Sequence, residues 1–398
     1  MSPMGALDGI KVLDLTIIVQ GPQAGVLLAD LGADVVKVEL PGVGDLARWI
    51  PAAPGEPRSG YFELCNRGKR GITLDLRTPG GKRALEGLVR TADVILSNFK
   101  PGTMEEWGLG YEELSAINPR LVYGAGSAFG PVGPDATREG ADLAGQAVGG
   151  LISATGVDGG DPTPVAAVIA DHAGAQNLVI GVLTALFHRE RTGIGQRVDV
   201  SLYGGQIWAQ ASEITAYLLS GRQPGRPNLG HPLIASIYRL FRTSDGWIAV
   251  VGVPTANWAG FTRAIDRPDL TEDPRYAKLF MDPADLAELL KELETIFLRR
   301  TSAEWADRLR AEGQRWAPVQ DYAAVVADPQ AWENGYLVRA EHPDRGEITI
   351  IGSPIRFSAT PAEPGVVAPE LGAHTEDVLL EAGFDWAAIE ALRADGAF

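Results

Sequence analysis

The chain has 398 residues, 45% of them hydrophobic and 22% charged, a globular composition long enough for two domains or one large and one small. Its 35 Lys and Arg against 51 Asp and Glu give a formal net charge of −16, which argues against nucleic acid or an anionic membrane as partner but leaves room for an anionic small ligand at a local cationic site. The single cysteine, Cys65, excludes an intrachain disulfide and a cysteine-based metal cluster, and reads as a buried structural thiol rather than a nucleophile.

The opening stretch MSPMGALDGIKVLDL lacks a basic segment followed by an apolar one, so no signal peptide is expected. No uncharged apolar run is long enough to span a bilayer, and a cytoplasmic location is expected.

In chain order, IKVLDL (10–15) predicts a strand, GPQAG (21–25) a turn, and AGVLLADLG a helix closing on Gly32. ADVVKVEL (33–40) and GITLDL (71–76) predict the next strands, TPGGKRALEGLVRTA a helix, and DVILSNF (93–99) a fourth strand. EEWGLGYEELSAINP is helical at least in part, and LVYGAGSAF (121–129) is a fifth strand. Strands alternating with helices of this length mean βαβ units and a parallel sheet, hence an α/β fold. A turn-rich loop follows at 129–140.

VAAVIA then stops at Asp171, after which Leu178, Val179, Val182, Leu183, Leu186 and Phe187 recur at helical spacing. His188, Arg189 and Arg191 fall in the expected last turn, where cations suit the dipole, and Gly193 is placed to end the helix. VDVSL (198–202) is a strand or an extended entry to another helix, and SGRQPGRPNLGHP (220–232) reads as a linker. A second block has a strand in GWIAVVGV and helices in ANWAGFTRAI, ADLAELLKELETIFLRR and SAEWADRLRAEG. Two β runs flank PDRG within 336–358, a hairpin or sheet edge, and the tail from Thr375 is helical.

Few residues carry recognisable chemistry. Gly21, Gly25 and Glu39 sit where a dinucleotide fingerprint would, but G-P-Q-A-G lacks the G-x-G-x-x-G spacing. A tight strand-to-helix turn without ligand, a nicotinamide site, or another nucleotide-bearing ligand at the helix N-terminus all remain open. His172, His188, His231, His342 and His374 do not pair at metal-ligand spacing, so no metal is expected, and no G-x-S-x-G is present. His231 is a loop histidine or an acid/base. Asp171 has two open roles. Asp is a favoured helix N-cap, contributing about 1 kcal/mol. A carboxylate at a helix N-terminus is also expected to stay ionised at neutral pH, and an ionised carboxylate can attack an activated acyl group.

Seven stretches, in order, resemble the family III CoA-transferases, also called the CaiB/BaiF family. They are KVLDLTIIVQGPQAGVLLADLGADVVKVE (11–39), NRGKRGITLDLRTPGG (66–81), DVILSNFKPGTMEEWGLGYEEL (93–114), DLAGQAVGGLISATG (142–156), the segment 169–202 from IADHAGAQ to RVDVSL, GSPIRFSATP (352–361) and LGAHTEDVLLEAGF (371–384). The resemblance implies a Rossmann-like parallel-sheet large domain plus a smaller α+β domain, in an interlocked homodimer. The expected division is 1–205 with 330–398 for the large CoA-binding domain, 206–225 for a linker, and 226–329 for the small domain and return linker.

It also implies that Asp171 is the nucleophile, forming an aspartyl mixed anhydride and then an aspartyl-CoA thioester as CoA moves from an acyl-CoA to a free carboxylic acid. Coenzyme A enters as substrate, with no prosthetic group. Carried over position by position, CoA contacts are expected at Val19, Gln20, Leu74, Arg77, Asn98, Phe99, Lys100 and Arg138. The cations would meet the ADP phosphates, and Phe99 could flank the adenine. Lys100 stands where the family often has Arg, a point charge in place of a fork.

Racemases of the family place a histidine in a G-H-D stretch, which here is Gly140-Ala141-Asp142. Without that imidazole a two-base proton transfer lacks a partner. A transferase is therefore expected over the alternative, an alpha-methylacyl-CoA racemase or epimerase; a non-catalytic CoA-binding protein is the alternative of another class. No glycine-rich shielding loop and no cationic cluster for a dicarboxylate are evident, which favours an apolar or medium-sized acid over a two-carbon one.

Overall fold

The computed structural model describes residues 5–56, 58–253, 255–276, 278 and 280–398. The chain begins β1 (Lys11–Asp14), α1 (Gln20–Asp30), β2 (Asp34–Glu39), α2 (Gly60–Asn66), β3 (Arg70–Thr73), α3 (Pro79–Val89), β4 (Val94–Ser97), α4 (Thr103–Glu106), α5 (Tyr111–Ile117) and β5 (Val122–Ser127). It continues through α6 (Asp142–Val148), α7 (Leu151–Ala154), α8 (Ile169–Thr192), β6 (Arg197–Ser201), α9 (Leu202–Ala209), α10 (Ala211–Ser220), β7 (Tyr238–Arg242), β8 (Trp247–Val251), α11 (Trp258–Ala264), α12 (Pro283–Phe297), α13 (Ser302–Ala311) and β9 (Trp316–Pro318). It closes with α14 (Tyr322–Ala327), α15 (Pro329–Glu333), β10 (Leu337–His342), β11 (Gly346–Ile351), α16 (Thr375–Glu381) and α17 (Trp386–Ala394).

Two compact units result: Met1–Leu151 with Val165–Gln210 and Pro329–Phe398, and Ile152–Pro164 with Ala211–Asp328. The first is built on a six-stranded sheet of order β3-β2-β1-β4-β5-β6, parallel throughout. Successive side chains point to opposite faces. Leu13, Val36, Ile72, Ile95 and Tyr123 join one core with residues of α3, α5, α16 and α17. Val12, Val35, Val94, Leu96 and Val122 join another under α1 and α8. Burial on both faces is why these strands carry apolar residues at successive positions, as in Val35-Val36 and Val94-Ile95-Leu96. The order reverses between β1 and β4, the switch point beside which open α/β sheets hold their ligands.

The second unit has a three-stranded antiparallel sheet, β7-β8-β9, and helices packed on it. Phe241 and Phe297 stack at 4.6 Å, and buried Trp305 donates its indole N–H to the Phe297 carbonyl at 2.8 Å. Thr301 and Glu304 form a full capping box at the start of α13. Among the described residues no helix is long and apolar enough to cross a membrane.

Several expectations shift. α1 starts at Gln20 rather than Ala24, because Pro22 fits a first turn where its missing N–H would have no partner. VDVSL is both readings at once, since β6 ends at Ser201 and α9 begins at Leu202. Phe187, counted on the apolar face of α8, is 66% exposed; with Ile180, one heptad earlier, it lies on the opposite side. The sequence reading passed over α2, α6, α7, α10, β7, β9, α14 and α15.

Beneath the β1–α1 loop lies a buried ion network. Lys69 Nζ meets Asp14 Oδ2 at 2.6 Å, the Pro22 carbonyl at 2.8 Å and Asn66 Oδ1 at 3.0 Å. Lys37 Nζ meets Asp45 Oδ2 at 2.8 Å and also donates to the Thr16 carbonyl. Burial opposes charge on Asp14, yet Lys69 and Lys37 hold its carboxyl below the usual carboxylate range. A buried pair is costly to break from one side only. Lys69→Met, which leaves Asp14 buried and uncompensated, is expected to lower stability by about 3–5 kcal/mol in denaturant titration. The double variant Asp14→Leu with Lys69→Met should recover much of that loss.

Candidate active site

The site begins with the loop joining β1 to α1, over the switch point. Asn98, just past β4, holds Ile17 by both backbone groups: Oδ1 accepts from its N–H and Nδ2 donates to its carbonyl, each at 2.8 Å. Asp45 Oδ1 accepts the Ile18 N–H at 2.9 Å. Ile18 itself has φ +68, a conformation that a β-branched residue adopts only when its surroundings impose it. Asn98, Asp45 and Lys37 supply that constraint. Val19 follows as the residue before α1 and is 2% exposed.

Gln20, the first residue of α1, is wedged between β5 and α8. A Cβ on Gly126 would sit 2.5 Å from Gln20 Oε1, and one on Gly174 would sit 2.7 Å from Nε2. Both glycines are therefore needed for this close approach. Gln20 Nε2 reaches the Ser127 carbonyl at 3.4 Å. Asp171 lies three residues before Gly174 on α8, so the wedge ties it to the switch-point loops.

The expectation that Asp171 caps α8 is corrected. The helix starts at Ile169, with Val168 at its N-cap and no side-chain cap of its own, so Asp171 is the third helical residue. The capping acceptor comes from another helix. Asp142 Oδ1 accepts from the Ala170 N–H at 2.7 Å and the Asp171 N–H at 3.3 Å, the donors a capping side chain would take. Asp142 Oδ2 accepts from Gln146 Nε2 at 2.6 Å. Gln146, 1% exposed, also receives the Val165 N–H at 3.0 Å and donates to the Val165 and Ala167 carbonyls at 3.2 and 3.4 Å.

With the cap donors already used, the Asp171 carboxylate accepts no hydrogen bond among the described residues. It is 9% exposed. Burial, and then the Asp142 carboxylate, push its carboxyl up to about 7. The expectation of an acid held fully ionised at neutral pH is corrected accordingly: burial and a like charge outweigh the helix dipole. Its neighbour His172 places Nδ1 2.5 Å from Gln23 Oε1, and burial lowers its basicity.

The remaining sequence-predicted contacts all follow the carboxyl ends of strands. Phe99 meets Trp107 edge to face at 5.3 Å. With Lys100, Met104, Tyr123 and Arg197 it lines a small cleft. The Lys100 ammonium has no ion-pair partner among the described residues. Arg138 stacks 4.0 Å over Phe129 and pairs with Asp135 at 3.0 Å. Leu74, 2% exposed, and Arg77 follow β3 at the sheet's far edge; Arg77 grips Asp75 through two bonds of 2.8 and 2.7 Å. Val19, Gln20, Asn98, Phe99 and Lys100 thus gather at the switch point, and Leu74 and Arg77 stand apart from them.

Sequence reasoning missed the roles of Asp142, Gln146, Asp45 and Arg197. One signal was present: Asp142 and Gln146 are four apart in DLAGQ, on one helical face. Cys65 is 1% exposed and burial pushes its thiol up to about 12, which suits a structural role. His231, in the second unit, lies 3.3 Å from Glu213 and edge-on to Tyr238.

A doubly wound sheet with a stapled loop, a cleft and a buried acid at its switch point is the layout of α/β proteins that bind ligands at strand carboxyl ends. Relatives agree with that layout. A sequence profile described as CoA-transferase family III matches residues 7–375. The chain is 38% identical to the succinyl-CoA:mesaconate CoA-transferase of Haloarcula hispanica, over 96% of this chain and 97% of that protein. It is 31% identical to the human succinyl-CoA:glutarate CoA-transferase, over 96% of this chain and 87% of that one. A CAIB/BAIF family protein from Brucella suis superposes with a TM-score of 0.84 at 34% identity, covering 95% of this chain and all (100%) of that one. Rv3272 from Mycobacterium tuberculosis gives 0.83 at 36% identity, covering 94% and 99%. The chain belongs to CoA-transferase family III.

The buried acid has a consequence for stability. An unfolded chain releases the Asp171 proton near 3.8, the folded one near 7, so folded-state stability declines as pH rises across that window. Asp171→Asn removes the charge and is expected to be more stable than the parent at pH 8, by up to about 4 kcal/mol. The gain should vanish by pH 4. Thermal midpoints of both proteins across pH test this.

Proposed function

We propose that this CoA-transferase moves CoA from an acyl-CoA thioester to a free carboxylic acid through covalent chemistry on Asp171. The observation that carries the reading is the Asp171 carboxyl itself, buried and, among the described residues, without a hydrogen-bond donor at the switch-point end of α8. An Asp171 oxygen attacks the thioester carbonyl; the C–S bond breaks, leaving a mixed anhydride and CoA thiolate. The thiolate then attacks the aspartyl carbonyl, releasing the donor acid and leaving an aspartyl-CoA thioester. The acceptor carboxylate attacks that thioester, thiolate departs, and its return to the acceptor's carbonyl restores Asp171. Each step exchanges one acyl bond for another and needs no outside base. A desolvated carboxylate with raised basicity suits this role, because it is a stronger nucleophile than a solvated one.

In this reading the CoA nucleotide lies over the β1–α1 loop, against Val19 and Gln20. Phe99 flanks the adenine, and Lys100, Arg77 and Arg138 meet phosphates. Asn98 contributes by holding the loop in shape. Arg77 and Arg138, both exposed, would exchange their Asp partners for phosphate oxygens, a change of small cost for pairs open to solvent on the arginine side. The residues alone favoured an apolar or medium-sized acceptor; the names of relatives include succinyl-CoA with mesaconate and glutarate. Succinyl-CoA with an acid panel spanning both classes is the direct screen. A homodimer fits the large apolar side chains left exposed, among them Trp208 at 75% and Leu219 at 85%.

Ala141, directly before α6, brings only a methyl group where a racemase would need an imidazole. Asp171→Ala is expected to lower CoA exchange at least about a thousandfold, since the nucleophile is lost. A 2-methylacyl-CoA held in deuterated water without acceptor acid should keep its α-hydrogen. Full exchange activity in Asp171→Ala, or rapid α-deuteration by the parent, would overturn the reading.

A further inference from the structure

We infer that Asp142, braced by Gln146, is a positioning residue that holds the first turn of α8 and whose negative charge keeps the neighbouring Asp171 carboxylate strongly nucleophilic. The inference rests on Asp171 being the nucleophile. Its geometry does not. Asp142 is 29 residues from Asp171 in sequence, yet its Oδ1 takes the N–H groups of Ala170 and Asp171. A neutral acceptor would have satisfied those donors equally well. A carboxylate does so while adding a like charge close to Asp171, which favours the helix N-terminus but opposes ionisation of its neighbour.

Gln146 makes the arrangement rigid. Its amide uses both ends, on Asp142 Oδ2 and on the backbone of Val165 and Ala167, the segment that leads into α8. The chain re-enters the first unit at Val165, so the clamp sits where it returns. The other groups against this turn carry no charge that could do the same work. α1 presents Gln20 and Gln23, α6 presents Gly145, and α9 presents Gly205 and Gln206, whose Nε2 is 3.5 Å from the Ile169 carbonyl. His172, on α8 itself, has its basicity lowered by burial, against the pull of Asp142. Asp142 is thus the one charged side chain that acts on Asp171 among the described residues.

Asp142→Asn separates charge from geometry, because the amide oxygen can still accept from Ala170 and Asp171. Two readouts apply to the full-length protein. In the pH profile of kcat for CoA exchange from succinyl-CoA, the acid limb should move down by about one pH unit, and the plateau should fall severalfold as Asp171 becomes less basic. In thermal unfolding across pH, the gain on replacing Asp171 by Asn at pH 8 should be smaller in the Asp142→Asn background than in the parent, which reads the coupling without any activity. An unmoved acid limb, or an undiminished Asp171→Asn gain, overturns the inference. Should Asp171→Asn itself retain full exchange activity, the nucleophile reading fails instead, and the unfolding cycle still reports the coupling.

Discussion

A carboxyl group taken out of water beside a second carboxylate resists ionisation, and the candidate site is built around that constraint. Asp171 stands in the first turn of a 24-residue helix, where backbone donors would ordinarily make an anion comfortable. Asp142 takes those donors, so Asp171 gets the burial without the compensation. What results is an acid near the midpoint of its titration at neutral pH. A fully ionised, well-solvated carboxylate would be more stable and a poorer nucleophile. Strain of this kind persists only where the rest of the fold holds the group in place.

That holding is done by buried polar contacts more than by apolar packing alone. Asp14, Lys69, Lys37 and Asp45 form paired charges under the β1–α1 loop, with Glu39 clasping Arg48 at its rim. The loop they support carries Ile18 at positive φ and is stapled from the far side by Asn98. Gln20 then bridges from this loop to β5 and α8 across two glycines. The path from β1 to Asp171 is thus a chain of close contacts, and each replaces adaptable packing by defined geometry.

The sheet was legible because its physics is local. A parallel strand buried on both faces must be a short apolar run, and β1, β2, β4 and β5 were read on that ground. The long helix was legible from Leu178, Val182 and Leu186, though Phe187 shows that apolar spacing does not name the face that is buried. The site was less so. Asp171 stood out only as a lone acid at a strand-like run, and its local sequence favoured a cap that Asp142 in fact supplies. The contacts that decide the matter join residues 29 or 81 positions apart, and no local pattern encodes them. The ordered resemblance to a family could single out one acid, but not why its proton is held so firmly.

The most direct measurement is the intact mass of the protein after mixing with acyl-CoA alone and quenching with hydroxylamine, followed by peptide mapping. Covalent catalysis on Asp171 predicts a hydroxamate on the peptide containing that residue, formed only when acyl-CoA is present. Turnover with no adduct, or an adduct on another side chain, would contradict it.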